Sequence, residues 1–435
     1  AWYVSNEAFM KNAEDIINKL KIRASYGLTG NDNVGGSRFP YRGVLVNGAE
    51  DVFFGFNGGS GGKGVNSQGK GLIEGIFSAP YLSWEVEEKK NIGLDLGLLR
   101  GRIDISVDFF KNDRRDILMQ RKTTPTLSGF RVNQYANYGI VSNHGVDMSL
   151  NAHHQIGKVK LSARGTFTFA RNEIKEYDEL PQKYPWMERT GKRINENNLY
   201  IAERLYTKED FIINKNSNGI ESYTLRPELP QSTLGGLLGP GDIKYKDVNG
   251  DGVIDSYDKV VGVGHPNVPE IVYGFGLNIE YKGFYASVFF QGTGNCSVLL
   301  GGNTPEGWYP FAWGVDQSSY RTFALDRWTE SNPSQNVLMP RLHKDNANNA
   351  NNQVASTWWL RNGGFLRLKN MEFGYQLPKQ FLKKFNVQAA RIYVMGYNLA
   401  LWDNLKYFDP EAGNANGGNV YPKNRTFTLG IDFTF

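Results

Sequence analysis

A chain of 435 residues that is 40% hydrophobic and 13% aromatic carries too much apolar surface for a disordered polymer, and its one cysteine, Cys296, excludes an intrachain disulfide scaffold. Its 49 basic and 44 acidic side chains leave a formal charge of +5, spread too evenly to mark a nucleic-acid binder. Mean hydropathy is −0.46, and no run reaches the roughly 20 apolar residues that a membrane-spanning helix needs.

At the N-terminus, Phe9, Ala13, Ile16, Ile17 and Leu20 recur at helical spacing and predict a helical connector over 6–20. No signal peptide is evident there, and the chain reads as starting within a barrel. Ten segments with a period of two follow, the pattern of strands with one apolar face. They begin at 22–28 and continue with Ile92, Leu94, Leu96 and Leu98, with Ile103, Ile105, Val107 and Phe109, and with 146–150. Next come Val159, Leu161, Ala163, Phe167 and Phe169, then Tyr273, Phe275, Leu277, Ile279 and Tyr281, then Phe284, Ala286, Val288 and Phe290. In the eighth, Leu366 and Leu368 share one parity but Met371, Phe373 and Tyr375 the other, which predicts a bulge near Lys369 and Asn370. The last two are 392–396 and the C-terminal Phe427, Leu429, Ile431, Phe433 and Phe435. Phe381, Leu382 and Phe385 predict a short amphipathic helix over 379–388 between the eighth and ninth.

Alternation alone fits a β-sandwich as well as a membrane barrel. Connection lengths separate them. Short links at 99–101, 153–157 and 282–283 alternate with long ones at 30–89, 111–143, 171–269, 293–363 and 400–423. Outer-membrane barrels sort their loops this way, short on the periplasmic side and long outside. The reading is therefore an all-β transmembrane antiparallel barrel, with 172–269 and 294–363 as long extracellular loops of a single barrel domain over 1–435. Ten strands in an open sheet would leave unpaired edges in lipid, so further strands from elsewhere are expected to complete it.

Asp247, Asn249, Asp251, Val253, Asp255 and Asp258 fill positions 1, 3, 5, 7, 9 and 12 of an EF-hand-like loop, with Gly252 at position 6. That oxygen set suits a structural Ca²⁺, although Asp258 replaces the usual Glu; a metal-free Asx-rich turn is the alternative. Gly58 to Gly64 formally contains G-x-S-x-G and G-x-G-x-x-G, but lies in Gly-rich loop without the strand and helix that either motif needs. His144, His153, His154, His265 and His343 show no metal-ligand spacing, Glu87 and Glu88 read as a solvated strand approach, and no catalytic site emerges. Trp308, Tyr309, Phe311, Trp313, Trp358 and Trp359 could stack on a bound ligand, pack a loop or form an interfacial aromatic girdle, with Trp358 and Trp359 the most girdle-like.

Several stretches carry a resemblance. They are Tyr81-Leu82-Ser83-Trp84-Glu85 with Asn91-Ile92-Gly93-Leu94-Asp95, Pro240-Gly241-Asp242 through Asp258, Tyr273-Gly274-Phe275, and Phe289-Phe290-Gln291-Gly292. Trp358-Trp359-Leu360-Arg361 to Asn370, Gly374-Tyr375-Gln376-Leu377-Pro378 and Leu20 to Gly27 complete the set. Together they resemble the SusC/RagA-type TonB-dependent transporters of the outer membrane of Bacteroidetes. The resemblance implies the C-terminal ten or so strands of a 22-stranded barrel, with the N-terminal plug and first strands lying elsewhere. It further implies import of oligosaccharides or peptides, a SusD-like lipoprotein over the extracellular side, and energy from the TonB-ExbB-ExbD complex. A passive porin or adhesin barrel and a soluble calcium-dependent glycan-binding sandwich are the rival readings.

Overall fold

The period-2 segments become neighbouring strands of one antiparallel sheet. The computed structural model describes residues 1–32, 41–51, 70–79, 81–125, 127, 134–300, 322–343, 350–383, 386–413, 420–421 and 423–435. Eleven strands pair strictly in chain order. They are β1 (Trp2–Tyr3), β2 (Ile17–Asn31), β3 (Glu85–Leu98), β4 (Ile103–Gln120), β5 (Tyr135–Ile156) and β6 (Val159–Glu176). Then follow β7 (Ile271–Tyr281), β8 (Phe284–Gly294), β9 (Phe365–Gln376), β10 (Ala389–Asp403) and β11 (Thr426–Thr434). β2 to β11 are the ten expected strands, and β1 is a two-residue addition pairing Trp2 with Ile22. The sheet does not close on itself: β1 and β11 are its two ends.

Side-chain exposure is inverted relative to a water-soluble sheet. Leu429 is 75%, Ile92 62% and Phe109 60% exposed, all on the apolar parity, and no second layer of described residues covers them. In water this face would be a severe aggregation hazard; in hydrocarbon it is the proper contact surface. Among the described residues no helix is long and apolar enough to cross a membrane. About 9 to 11 tilted residues span a bilayer. β4 and β6, at 18 residues each, and β5, at 22, therefore extend well past it.

That length corrects the expected connection at 111–143: the ladder between β4 and β5 runs on to Gln120 and Tyr135. The expected bulge is at Lys369, which is skipped where Phe289 pairs with Asn370 and Phe290 with Leu368. Lys282 and Gly283, with φ of 49° and 90°, make the two-residue turn between β7 and β8, whose left-handed torsions match the twist of the strands they join. Over 6–20, two short 3-10 segments (Val4–Asn6 and Ala8–Ala13) and the start of β2 replace the expected helix. Ile17, Lys19 and Leu20 instead pair with Leu98, Gly97 and Leu96, because ladder bonds to β3 satisfy their backbone. Over 379–388 only the turn Lys379–Leu382 is helical, and residues 384–385, including Phe385, lie outside the described residues.

The face assignment makes a direct prediction for the membrane-inserted protein. Leu429→Arg places a charge toward lipid and is expected to cost about 2 to 4 kcal/mol near the midplane, while Thr428→Arg on the opposite face is tolerated. Heat-modifiable migration of the folded barrel on gels checks both, and equal behaviour of the two variants would refute the assignment.

Candidate functional site: the inner wall and the cap above it

On the inner face, charge pairs bridge neighbouring strands. Arg23 of β2 donates from Nε and Nη2 to Asp95 of β3 at 3.1 and 3.0 Å. It also donates from Nη1 and Nη2 to Asp108 of β4 at 2.9 and 2.8 Å. The guanidinium lies across Gly93, where a Cβ would stand 2.5 Å from Asp108 Oδ1 and 2.7 Å from Arg23 Cζ, so glycine makes the cluster possible. Ser106 donates to Asp95 at 2.8 Å and completes it. Further along the sheet, Tyr285 donates to Glu372 at 2.6 Å, and Arg391 bridges Glu372 at 3.3 Å and Asp432 at 2.7 Å. A wall of paired charges is suited to water and polar solutes, not to lipid.

Where strands end, buried carboxylates fasten the long loops. Glu270, immediately before β7 and 4% exposed, accepts from Arg171 Nε and Nη2 at 2.7 and 2.8 Å, Arg193 Nη1 at 3.2 Å and Asn295 Nδ2 at 3.2 Å. Burial pushes its pKa up, but the bonds from Arg171 and Arg193 outweigh this and hold it at about 2. Asp178 likewise accepts from the amides of Lys122 and Thr123 at 2.5 and 3.2 Å and from Thr123 Oγ1 at 2.9 Å. There too burial raises the pKa, yet the bonds from Lys122, Thr123 and Arg121 bring it to about 2.

Above the sheet, the loops build a core of the ordinary water-soluble kind. Leu205, Ile243, Tyr245, Ile254, Met339 and Trp359 are buried together with Val298, Phe323, Trp328 and Leu405, gathering three separate connections. Asp242, 1% exposed, immediately precedes Ile243 of this core. It accepts from Arg341 Nη2 at 2.7 Å, Asn352 Nδ2 at 2.8 Å and the Gly239 amide at 2.9 Å, and contacts His343 Nε2 at 2.9 Å. Asn352 Oδ1 in turn accepts from the Ile243 amide and Asn351 Nδ2 donates to the Ile243 carbonyl, both at 2.9 Å. These contacts correct the girdle reading of Trp358 and Trp359. Trp359 is 3% exposed and donates to the Asn352 carbonyl at 2.9 Å, while Trp358 packs against the core and donates to the Leu338 carbonyl at 3.1 Å. Burial with a satisfied indole N–H is a core role. The cap also holds a polar cleft of about 590 Å³ lined by Lys208, Glu221, Tyr223, Trp328, Glu330 and Arg341.

The Asp247 loop is a tight turn held by its own groups. Asp247 accepts from the amides of Gly250 at 2.7 Å and Gly252 at 2.8 Å, and Asp251 accepts from the Val253 amide at 2.9 Å. Asn249 accepts from the Asp251 amide at 3.0 Å. Gly252 takes a φ of +82°, the left-handed region open to glycine. Asp255 and Asp258 form a reciprocal capping box, and Asp258, fully buried, accepts from Val248 and Asp255 at 2.7 and 2.9 Å. Among the described residues, no three or more His, Cys, Asp or Glu side chains converge as a ready metal cage. Trp308, Tyr309, Phe311, Trp313 and the 58–64 glycine segment lie outside the described residues. Sequence reasoning missed the Asp242 and Glu270 clusters, whose members lie up to 110 residues apart.

The family model described as "TonB dependent receptor-like, beta-barrel" matches residues 12–399. TonB-dependent receptor P26 of Formosa agariphila is 29% identical over all of this chain and 42% of its own length. TonB-dependent receptor SusC of Bacteroides thetaiotaomicron is 24% identical over all of this chain and 39% of its own length. Among solved structures, the RagAB peptide importer in its open-open state is similar with a TM-score of 0.70 and 24% identity, covering all of this chain and 42% of that one. The chain thus spans about two-fifths of the length of these relatives.

The two low-pKa carboxylates set a pH window for loop anchoring. A group whose folded pKa is depressed contributes stability that is complete above its unfolded value, near 4, and lost as pH falls toward 2. Protection of 171–199 against hydrogen exchange, corrected for intrinsic rates, is expected to hold from pH 7 to about 5 and decline below 4. Glu270→Gln should weaken that anchoring by about 2 kcal/mol at neutral pH and flatten the decline. An unchanged profile would refute the role of Glu270.

Proposed function

The chain belongs to the TonB-dependent receptor-like β-barrel family, and on that footing we propose that it supplies C-terminal barrel wall and extracellular cap to an importer of oligosaccharides or peptides. The family is one of Gram-negative outer-membrane receptors and transporters, not of enzymes. In our reading, a SusD-like lipoprotein meets the cap, and TonB-ExbB-ExbD drives opening through a plug carried by receptor sequence outside these residues. The observation that carries the proposal is the pairing of an outward apolar face with an inner wall of ion pairs, topped by a folded cap. Open sheet ends fit strands from the rest of a larger barrel, since unpaired backbone in hydrocarbon costs several kcal/mol per group. The charged cleft with Trp328 on one wall offers both donors and acceptors to a polar chain, and the similar RagAB structure is that of a peptide importer.

For the Asp247 loop we propose a structural Ca²⁺ held by Asp247, Asn249, Asp251, the Val253 carbonyl, Asp255 and Asp258. Support comes from the preformed turn: each Asp247 oxygen accepts one amide and keeps a second lone pair. Each Asp258 oxygen likewise accepts one amide, from Val248 or Asp255, and keeps a second lone pair. The ion would stiffen the loop and take no part in chemistry.

Two measurements test these readings. Uptake of labelled oligosaccharides or peptides by cells bearing the full receptor should fall to background when the receptor or TonB is deleted, and uptake persisting without TonB would establish a passive pore. Calcium against chelator should raise the thermal midpoint of the purified receptor, and Asp251→Asn should abolish the difference. Identical midpoints in the parent protein would leave the loop a metal-free turn.

A further inference from the structure

We infer that the outward face of β5 to β8, close to the periplasmic turns, seats an anionic phospholipid of the periplasmic leaflet, one acyl chain lying in an apolar groove of about 670 Å³. The inference rests on the membrane placement of the family and concerns the lipid side of the wall, not transport.

The groove is a recess in an otherwise bulky surface. Ala152 pairs with Ala163 across β5 and β6, and Ala286 of β8 faces Ile279 of β7. Flanking outward positions are branched: Ile103, Leu161, Leu277, Ile279 and Val288 stand around the three alanines and form the walls. The lining is aliphatic, and its volume lies in the range of ligand sites. Ala152 and Ala163 are each four residues from the hairpin turn between Ile156 and Val159, so at about 3.3 Å per residue and a strand tilt near 45° they lie roughly 10 Å from it along the membrane normal, just beneath the headgroup level.

The rim is polar and carries a spare cation. Arg102, His153 and His154 border the groove. Arg100 pairs with Asp15 at 2.9 Å, Lys160 with Glu280 at 3.2 Å, and Lys282 lies over the Tyr281 ring at 5.2 Å, while Lys158 in the β5–β6 turn is exposed with no ion pair among the described residues. Arg102 is exposed and has no ion pair among the described residues. A permanent positive charge above an aliphatic trough complements a phosphate joined to an acyl chain. A flexible tail can follow a narrow recess that a second rigid barrel would bridge. The recess also lies at the periplasmic end, remote from the outer leaflet.

The test uses the full receptor in mild detergent, with native mass spectrometry after adding phosphatidylglycerol or phosphatidylethanolamine. The parent protein is expected to retain phosphatidylglycerol preferentially. Arg102→Gln should reduce that preference about five-fold, and Ala163→Phe, which fills the recess, should remove the retained lipid. Heat-modifiable migration confirms folding of each variant, and Ala286→Leu serves if Ala163→Phe does not fold. Equal retention of the two lipids by the parent, or undiminished retention in a folded groove-filling variant, overturns the proposal. So does a dimer mass that disappears with Ala163→Phe, which would assign the face to a second copy. Failure of the membrane reading would show separately, as a parent protein that stays soluble and lacks heat-modifiable folding without detergent.

Discussion

Backbone amides and carbonyls inside hydrocarbon have no water to turn to, and this single constraint organises the molecule. Each strand from β3 to β10 meets it by pairing on both sides along the sheet, whereas β2 has β3 on one side and only the two residues of β1 on the other. Once backbone needs are met by neighbours, side chains are free to obey the media on either side. Apolar groups face lipid, and the opposite parity gathers arginines, carboxylates and hydroxyls into clusters such as Arg23, Asp95, Asp108 and Ser106. The same constraint makes the two sheet ends the places where other strands must be met.

The cap obeys different physics. Its core is closed by burial against water, as in any soluble domain, and it is assembled from loops that enter from separate hairpins. Short strand pairs such as Ala202–Leu205 with Ile243–Tyr245 are too small to stand alone, and side-chain networks through Asp242 bind them together. Glu270 and Asp178 join the two regimes, because each fixes loop backbone or side chains to the ends of membrane strands.

Much of the wall was legible in the residues, and little of the cap was. Phe427, Leu429 and Ile431 alternate because lipid lies on one side, a local signal that needs no knowledge of neighbours. The phase slip after Leu368 was likewise local and marked the bulge at Lys369. Trp358 and Trp359 misled, since an aromatic pair beside a strand has the same appearance whether its rings meet headgroups or a loop core; only the partners at Asn352 and Leu338 distinguish the cases. The Asp242 cluster depends on contacts across roughly a hundred residues, which no window along the chain contains. Strand ends were also hidden, because β4 and β5 lose strict alternation where lipid no longer enforces it.

That last point has a mechanical corollary. At about 3.3 Å per residue and a tilt near 45°, the 22 residues of β5 rise roughly 50 Å, against an apolar band of about 25 Å. A palisade therefore stands clear of the bilayer with solvent on both of its sides, and there the sheet must hold its shape by cross-strand bonds such as Ser142 to Asp113 at 2.6 Å, without lateral support from lipid.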